Sequence, residues 1–179
     1  EADTTWTLSP GDGSKTVHYR AGLDKYDRLV RRVAQPLRLS HIPGNGYERD
    51  RLLRWIERET DADDAVLAEF GFSPTILLAT GRPILLQPKF ETAGIRDKVR
   101  GYSEALFADE ASFHAWCVGH GADYFVLPLE AALKQGPGFP AWIAGHQQVP
   151  PHAAAFQLHF FPEDVQHFEL AYQNSRHRV

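Results

Sequence analysis

The chain has no methionine, a single cysteine and no long apolar run. One cysteine excludes an internal disulfide, and Cys117 reads as a small hydrophobe buried in a helical segment. A membrane-spanning helix needs about 20 consecutive apolar residues, and every apolar run here falls far short of that. No segment of these residues reads as a secretory leader, and none is expected among them. The missing methionine predicts a processed chain or a piece of a longer protein. A large excess of either charge is also missing: 19 Lys and Arg against 23 Asp and Glu leave a net charge of -4, which gives no broad attraction to nucleic acid, and no such partner is expected. There is no His-Glu-x-x-His, no paired-cysteine spacing, no Gly-x-Ser-x-Gly, no phosphate-binding Gly-Lys loop and no Gly-x-Gly-x-x-Gly. His114 and His120 do not share a helical face. Asp61, Asp63 and Asp64 lack the glycine and distal glutamate of a calcium loop and read as a polar turn. No metal and no cofactor are expected.

What is present is ordinary in amount and informative in order. The 179 residues are 43% hydrophobic and 23% charged, enough for one packed domain with a small appendage. Thr4–Leu8 and Thr16–Arg20 flank Pro10-Gly11-Asp12-Gly13 and predict a hairpin. Leu23–Val33 follows with a helical apolar spacing. Its Arg28, Arg31 and Arg32 form either a solvated face or a contact for lipid headgroups. The Pro-Gly-Asn-Gly loop after Ile42 is the best boundary, dividing a 1–46 extension from a 47–179 domain. Tyr47–Thr60 is the clearest helix. Leu52, Leu53 and Ile56 form its apolar stripe, and Glu and Arg residues three or four apart can pair around it.

The next stretch alternates short apolar runs with helical segments. Ala65–Phe70, Pro83–Gln87 and Tyr124–Leu127 are the runs, and helical segments open at Ser73-Pro74 and span Ser103–Gly119. That order predicts three neighbouring parallel strands in a short sheet flanked by helices. Asp109-Glu110 is a candidate break that divides the second helical segment in two. Ser73 is the expected N-cap, with Pro74 in the first turn. Free N–H groups at such a helix start, beside a strand end, attract anions. Phe139–His146, between Gly- and Pro-rich stretches, reads as a long binding loop carrying Trp142. Ala154–Phe161 and Gln166–Tyr172 predict a closing antiparallel strand pair. The expected fold class is therefore α/β, a mostly parallel sheet extended by a C-terminal antiparallel pair, with an N-terminal hairpin and helix.

A strand ending in Glu69-Phe70-Gly71, a short helix, then Gly81-Arg82-Pro83 and a second strand resembles the soluble domain of membrane glycosyltransferases of the GT-C class, including the oligosaccharyltransferase catalytic subunit. Gly121–Leu127 resembles that family's last core strand, and Phe168–Tyr172 its closing edge. The resemblance covers roughly residues 48 to 175. In oligosaccharyltransferase the first strand leads into Trp-Trp-Asp-Tyr-Gly. Here Leu67-Ala68-Glu69-Phe70-Gly71 takes that place, so sequon binding is not carried over.

The resemblance implies an extracytoplasmic domain, inactive by itself, that partners the transmembrane portion of the same polypeptide. It would cover the membrane active site and help position an acceptor or a lipid-linked sugar. Glu69, Gly71, Ser73, Arg82 and Trp142 are the candidate substrate-binding residues, with no catalytic residue among them. Arg82 is read in two ways, as a structural tie to loop carbonyls or Glu69 and as a sugar-phosphate or headgroup contact. Two alternatives stand beside this reading. One is a stand-alone periplasmic or cytosolic module binding a small ligand near Gly71–Ser73. The other is a small hydrolase using Glu69 with a histidine.

Overall fold

The structure, a computed structural model, describes residues 3–8, 15–20 and 45–179. The chain divides into two compact units, Glu1–Pro43 and Gly44–Val179. In the first, strand β1 (Asp3–Leu8) pairs antiparallel with β2 (Lys15–Arg20), in a register running from Asp3↔Arg20 to Leu8↔Lys15. The expected hairpin is thus present, with each strand one residue longer. The helix expected over Leu23–Val33 lies outside the described residues.

The second unit opens with helix α1 (Asn45–Glu59). Leu52 and Ile56 are fully buried along its stripe. Trp55 stacks on Tyr172 at 5.2 Å and meets Tyr124 edge-on at 6.0 Å. Arg51, half-exposed, pairs with the more buried Glu48 at 3.7 Å. The chain then turns into β3 (Val66–Leu67), which lies parallel to β4 (Tyr124–Phe125) and makes a parallel bridge from Val66 to Ile84. These are the three neighbouring parallel segments expected. The segment at Ile84, on the edge beside β3, is a single bridge: Pro83 has no N–H to donate and serves through its carbonyl, which accepts from Val66 N–H at 2.8 Å.

The alternation of side chains along β3 explains why its run is continuously apolar. Leu67 packs into one cluster with Val99, Tyr102, Phe113 and Cys117, while Val66 and Ala68 pack into another with Leu52, Ile56 and Ile76. The sheet is therefore covered on both faces. α1 and α2 (Ser73–Thr80) lie on one face. On the other lie α3 (Ala93–Leu106), α4 (Glu110–Gly119), α5 (Pro140–Ile143) and α6 (Ala154–Phe160). Each fully buried Leu, Ile, Val or Phe contributes about 1.5–3 kcal/mol.

Several local expectations change. Ser73 is not the N-cap: Phe72 holds that position without a side-chain cap, and Ser73 is fully buried inside the first turn. α3 begins at Ala93, well before Ser103, because the Thr92 hydroxyl caps the Ile95 N–H at 3.3 Å. The break at Asp109 is present, with its carboxylate accepting from Ser112 N–H at 2.9 Å. Ala154–Phe161 is not a strand. Ala154, Ala155 and Leu158 are buried at helical spacing, and the alanines favour helix α6. Gln166–Tyr172 is not a strand either. The C-terminal antiparallel pair is formed instead by β5 (Leu127–Pro128) and β6 (His177–Arg178). The fold class stands as expected, with that pair built from other residues.

Candidate functional site

Glu69, Gly71 and Ser73 come together in one tight turn between β3 and α2. The Glu69 carbonyl accepts from Phe72 N–H at 2.9 Å and from Ser73 N–H at 3.0 Å. The Ser73 hydroxyl donates to the Ala68 and Glu69 carbonyls, each at 3.1 Å. The Glu69 carboxylate curls back and accepts from Gly71 N–H at 3.2 Å. A Cβ at Gly71 would lie 3.2 and 3.3 Å from the two carboxylate oxygens, so glycine makes room for this curl.

The turn therefore differs from the anion-receptive helix start expected of it. Its N–H groups are engaged by Glu69, and the local charge is acidic. Burial raises the Glu69 carboxyl above the usual carboxylate range, with the Gly71 hydrogen bond acting in the opposite direction. Glu69 also lies near the buried Tyr102. Burial, and then this carboxylate, raise the phenol's pKa. A half-buried carboxyl of this kind accepts or, when protonated, donates a hydrogen bond, which suits hydroxyl and amide groups better than phosphate. No hydrogen bond or ring contact joins a histidine to Glu69 among the described residues.

Arg82 lies elsewhere. It precedes the segment that pairs with Val66, so it sits at the amino-terminal edge of the sheet, whereas Glu69 follows β3 at the carboxyl edge. Its Nη2 donates to the Glu57 and Thr60 carbonyls, both at 2.7 Å, and its Nη1 to the Thr80 carbonyl at 2.9 Å. Its Nε donates to the Thr60 hydroxyl at 3.1 Å. The guanidinium thus ties the last carbonyls of α1 and α2 together at the negative ends of both helices. This is the geometry of a structural tie to carbonyls, and Glu69 is not among its partners.

Trp142 is 57% exposed on α5, a short helix whose Pro140 and Ala141 are buried. His146 N–H donates to the Ala141 carbonyl at 2.8 Å, and the His146 ring stacks on Phe107 at 5.5 Å. The segment expected as a long loop is therefore anchored, with Trp142 as its outward projection. No hydrogen bond or ring contact joins Trp142 to Glu69 or Arg82 among the described residues.

A separate cleft of about 620 Å³ lies beside β4. Cys117, Leu127 and Phe168 contribute to its apolar walls, and Asp64, Asp123 and Glu169 to its rim. None of the turn, Arg82 or residues 139–146 lines it. Sequence reasoning missed it because its walls come from α4, β4, β5 and residues 162–171, far apart along the chain. The carboxylate of Glu110 fastens that last segment, accepting from Gln166 and His167 N–H at 2.7 and 2.6 Å. His114 stacks on His167 at 5.1 Å. Burial raises the Cys117 thiol's pKa to about 12, leaving it an unreactive thiol. Among the described residues, no three His, Cys, Asp or Glu side chains group to hold a metal ion. No described helix is long and apolar enough to cross a membrane.

No protein-family model and no curated protein matches the chain. Among solved structures, it is similar in fold to the C-terminal globular domain of an oligosaccharyltransferase from Archaeoglobus fulgidus. That likeness has a TM-score of 0.52 and 18% identity, and covers 72% of this chain and 94% of that one.

Proposed function

We propose that the Gly44–Val179 unit is the extracytoplasmic domain of a membrane glycosyltransferase-like protein that uses a lipid-linked sugar. It acts with the transmembrane portion of the same polypeptide, covering the membrane active site and helping to position the acceptor, and has no transfer activity alone. The observation that carries this reading is the fold likeness to the archaeal oligosaccharyltransferase domain over nearly the whole of that domain. The strand–Glu69-Phe70-Gly71–helix–Gly81-Arg82-Pro83 order agrees with it. The absence of both tryptophans from the turn after β3 argues that acceptor contact here differs from sequon binding.

The geometry refines the residues. Glu69 is the candidate hydrogen-bonding group toward a hydroxyl or amide, Gly71 and Ser73 hold its turn, and Trp142 offers an exposed ring for a sugar or the membrane interface. Arg82 acts at a distance, by fastening helix ends. In membranes carrying the intact parent polypeptide, Glu69→Gln and Trp142→Ala should each lower sugar transfer. Both should leave the melting temperature of the soluble chain within a few degrees. Full transfer by both variants would place the working surface elsewhere. Binding of a free sugar by the chain alone, lost in Glu69→Gln, would instead favour the small-ligand module.

A further inference from the structure

Helices α1 and α2 lie side by side on one face of the sheet, where Leu52 and Ile56 of α1 pack with Ile76 of α2. Arg82 joins their carboxyl ends through the Glu57, Thr60 and Thr80 carbonyls, so the last turns of the two helices are neighbours. Each helix turns an outer side away from the sheet, and the two outer sides differ in chemistry. α2, Ser-Pro-Thr-Ile-Leu-Leu-Ala-Thr, carries no charged residue. Ser73, Ile76 and Thr80 are its buried side, so Leu78 falls opposite them, 89% exposed, with Leu77 beside it at 46%. On α1, Tyr47, Arg51, Arg54 and Arg58 recur at helical spacing on the side away from Leu52 and Ile56, and all four are exposed. Arg51 meets Glu48 and the Tyr47 ring. Arg49 engages the Asp50 carboxylate, and Arg54 donates to the Asp50 carbonyl at 3.2 Å. Among the described residues, no carboxylate pairs with Arg54 or Arg58.

We propose that the outer sides of α1 and α2 form a seat on an anionic lipid bilayer. Leu77 and Leu78 enter the interface, while Arg54 and Arg58 beside them meet the headgroup phosphates. Leucines on an uncharged helix bring no charged group into the interface with them, and the arginine fork matches phosphate oxygens. Tyr47, exposed farther along the same side, has the amphipathic ring that settles at headgroup level. Size argues against a protein in this place. Two leucines cover far less than the roughly 800 Å² per partner of a stable interface, whereas interfacial burial adds up side chain by side chain. Asp50 and Glu57 border the arginine stripe, so the attraction is local to it, in keeping with the net charge of -4. Trp142, on α5, belongs to the opposite face of the sheet. A domain seated through α1 and α2 leaves that ring for a sugar or acceptor. The seat rests on the membrane reading proposed above, but vesicle binding is scored without sugar transfer, so each can fail alone.

The test is cosedimentation of the whole 179-residue chain with vesicles of phosphatidylglycerol and phosphatidylcholine in equal parts, against vesicles of phosphatidylcholine alone. Binding to the anionic vesicles is expected, and it should weaken as salt rises. The double variants Leu77→Gln with Leu78→Gln, and Arg54→Gln with Arg58→Gln, should each lower the partition coefficient about tenfold or more. Both should melt within a few degrees of the original chain, because all four side chains are exposed. Val118→Gln, at an exposed residue of α4 across the sheet, should leave partitioning unchanged. Absence of binding to the anionic vesicles overturns the proposal, as does equal binding to phosphatidylcholine alone. Undiminished binding by either double variant does so too, as does a loss from Val118→Gln equal to theirs.

Discussion

Arg82 donates four side-chain hydrogen bonds to the ends of α1 and α2. Truncation would leave partly buried carbonyls without a donor, so Arg82→Ala should lower unfolding free energy by about 2–3 kcal/mol. Arg82→Lys should restore only part of it, because one ammonium cannot reproduce the planar fork. Urea denaturation checks both. A variant as stable as the parent would return Arg82 to the surface-contact reading. That an arginine between Gly81 and Pro83 could tie carbonyls was one of the two readings the sequence offered, beside a substrate contact. That the carbonyls would belong to Glu57 and Thr60 was not legible, since only the folded register brings them there.

Two histidines carry a pH prediction. His159 and His177 each have an Nδ1 without a partner among the described residues. Burial, followed by the charges of Arg178 and Arg176 respectively, lowers both to about 4. Glu48 opposes the shift at His177. The unfolded chain, titrating near 6.5, binds more protons than the fold between about pH 6.5 and pH 4. Stability is therefore full above that window and falls as pH drops through it, by about 3 kcal/mol for His159. Glu69, raised by burial, works in the opposite sense and offsets part of the loss. Denaturation at pH 7.5 and pH 4.5 checks this. His159→Phe should flatten the dependence, and an unchanged slope would contradict it.

At the scale of elements, glycines divide by backbone angle. Gly81 ends α2 at φ 73°, and its N–H donates to the Leu77 carbonyl at 2.9 Å. A side chain there is strained, and Gly81→Ala should cost about 1 kcal/mol. Gly119 closes α4 with nothing near its missing Cβ, so Gly119→Ala should add about 0.5–1 kcal/mol. Thermal melts of the pair should shift in opposite directions, and a common direction would contradict the assigned helix ends. Elements with strong local signals were legible: α1 from its stripe, the Asp109 break from the Asp-Glu pair interrupting an apolar helical pattern, and β3 from its unbroken apolar run. α6 was not, because Ala153–Phe161 offers apolar residues at both strand and helix spacing and only packing chooses between them. The start of α3 was masked by Gly94, a poor helix former lying inside the first turn.

At the scale of the molecule, a three-segment parallel sheet with both faces covered follows from the order of apolar runs and helices, and the structure has it. The placement of the candidate site was legible only in part. Glu69, Gly71 and Ser73 are adjacent in sequence and share one turn, whereas Arg82 and Trp142 occupy other parts of the unit. The cleft beside β4 could not be read, because its walls join segments separated by tens of residues.

The most direct measurement of the central claim compares sugar transfer from a polyprenyl-linked donor in three samples. These are membranes with the intact parent polypeptide, the same membranes with residues 44–179 deleted, and the soluble chain alone. Transfer is predicted only in the first. Transfer by the soluble chain alone, or undiminished transfer after the deletion, would contradict the account.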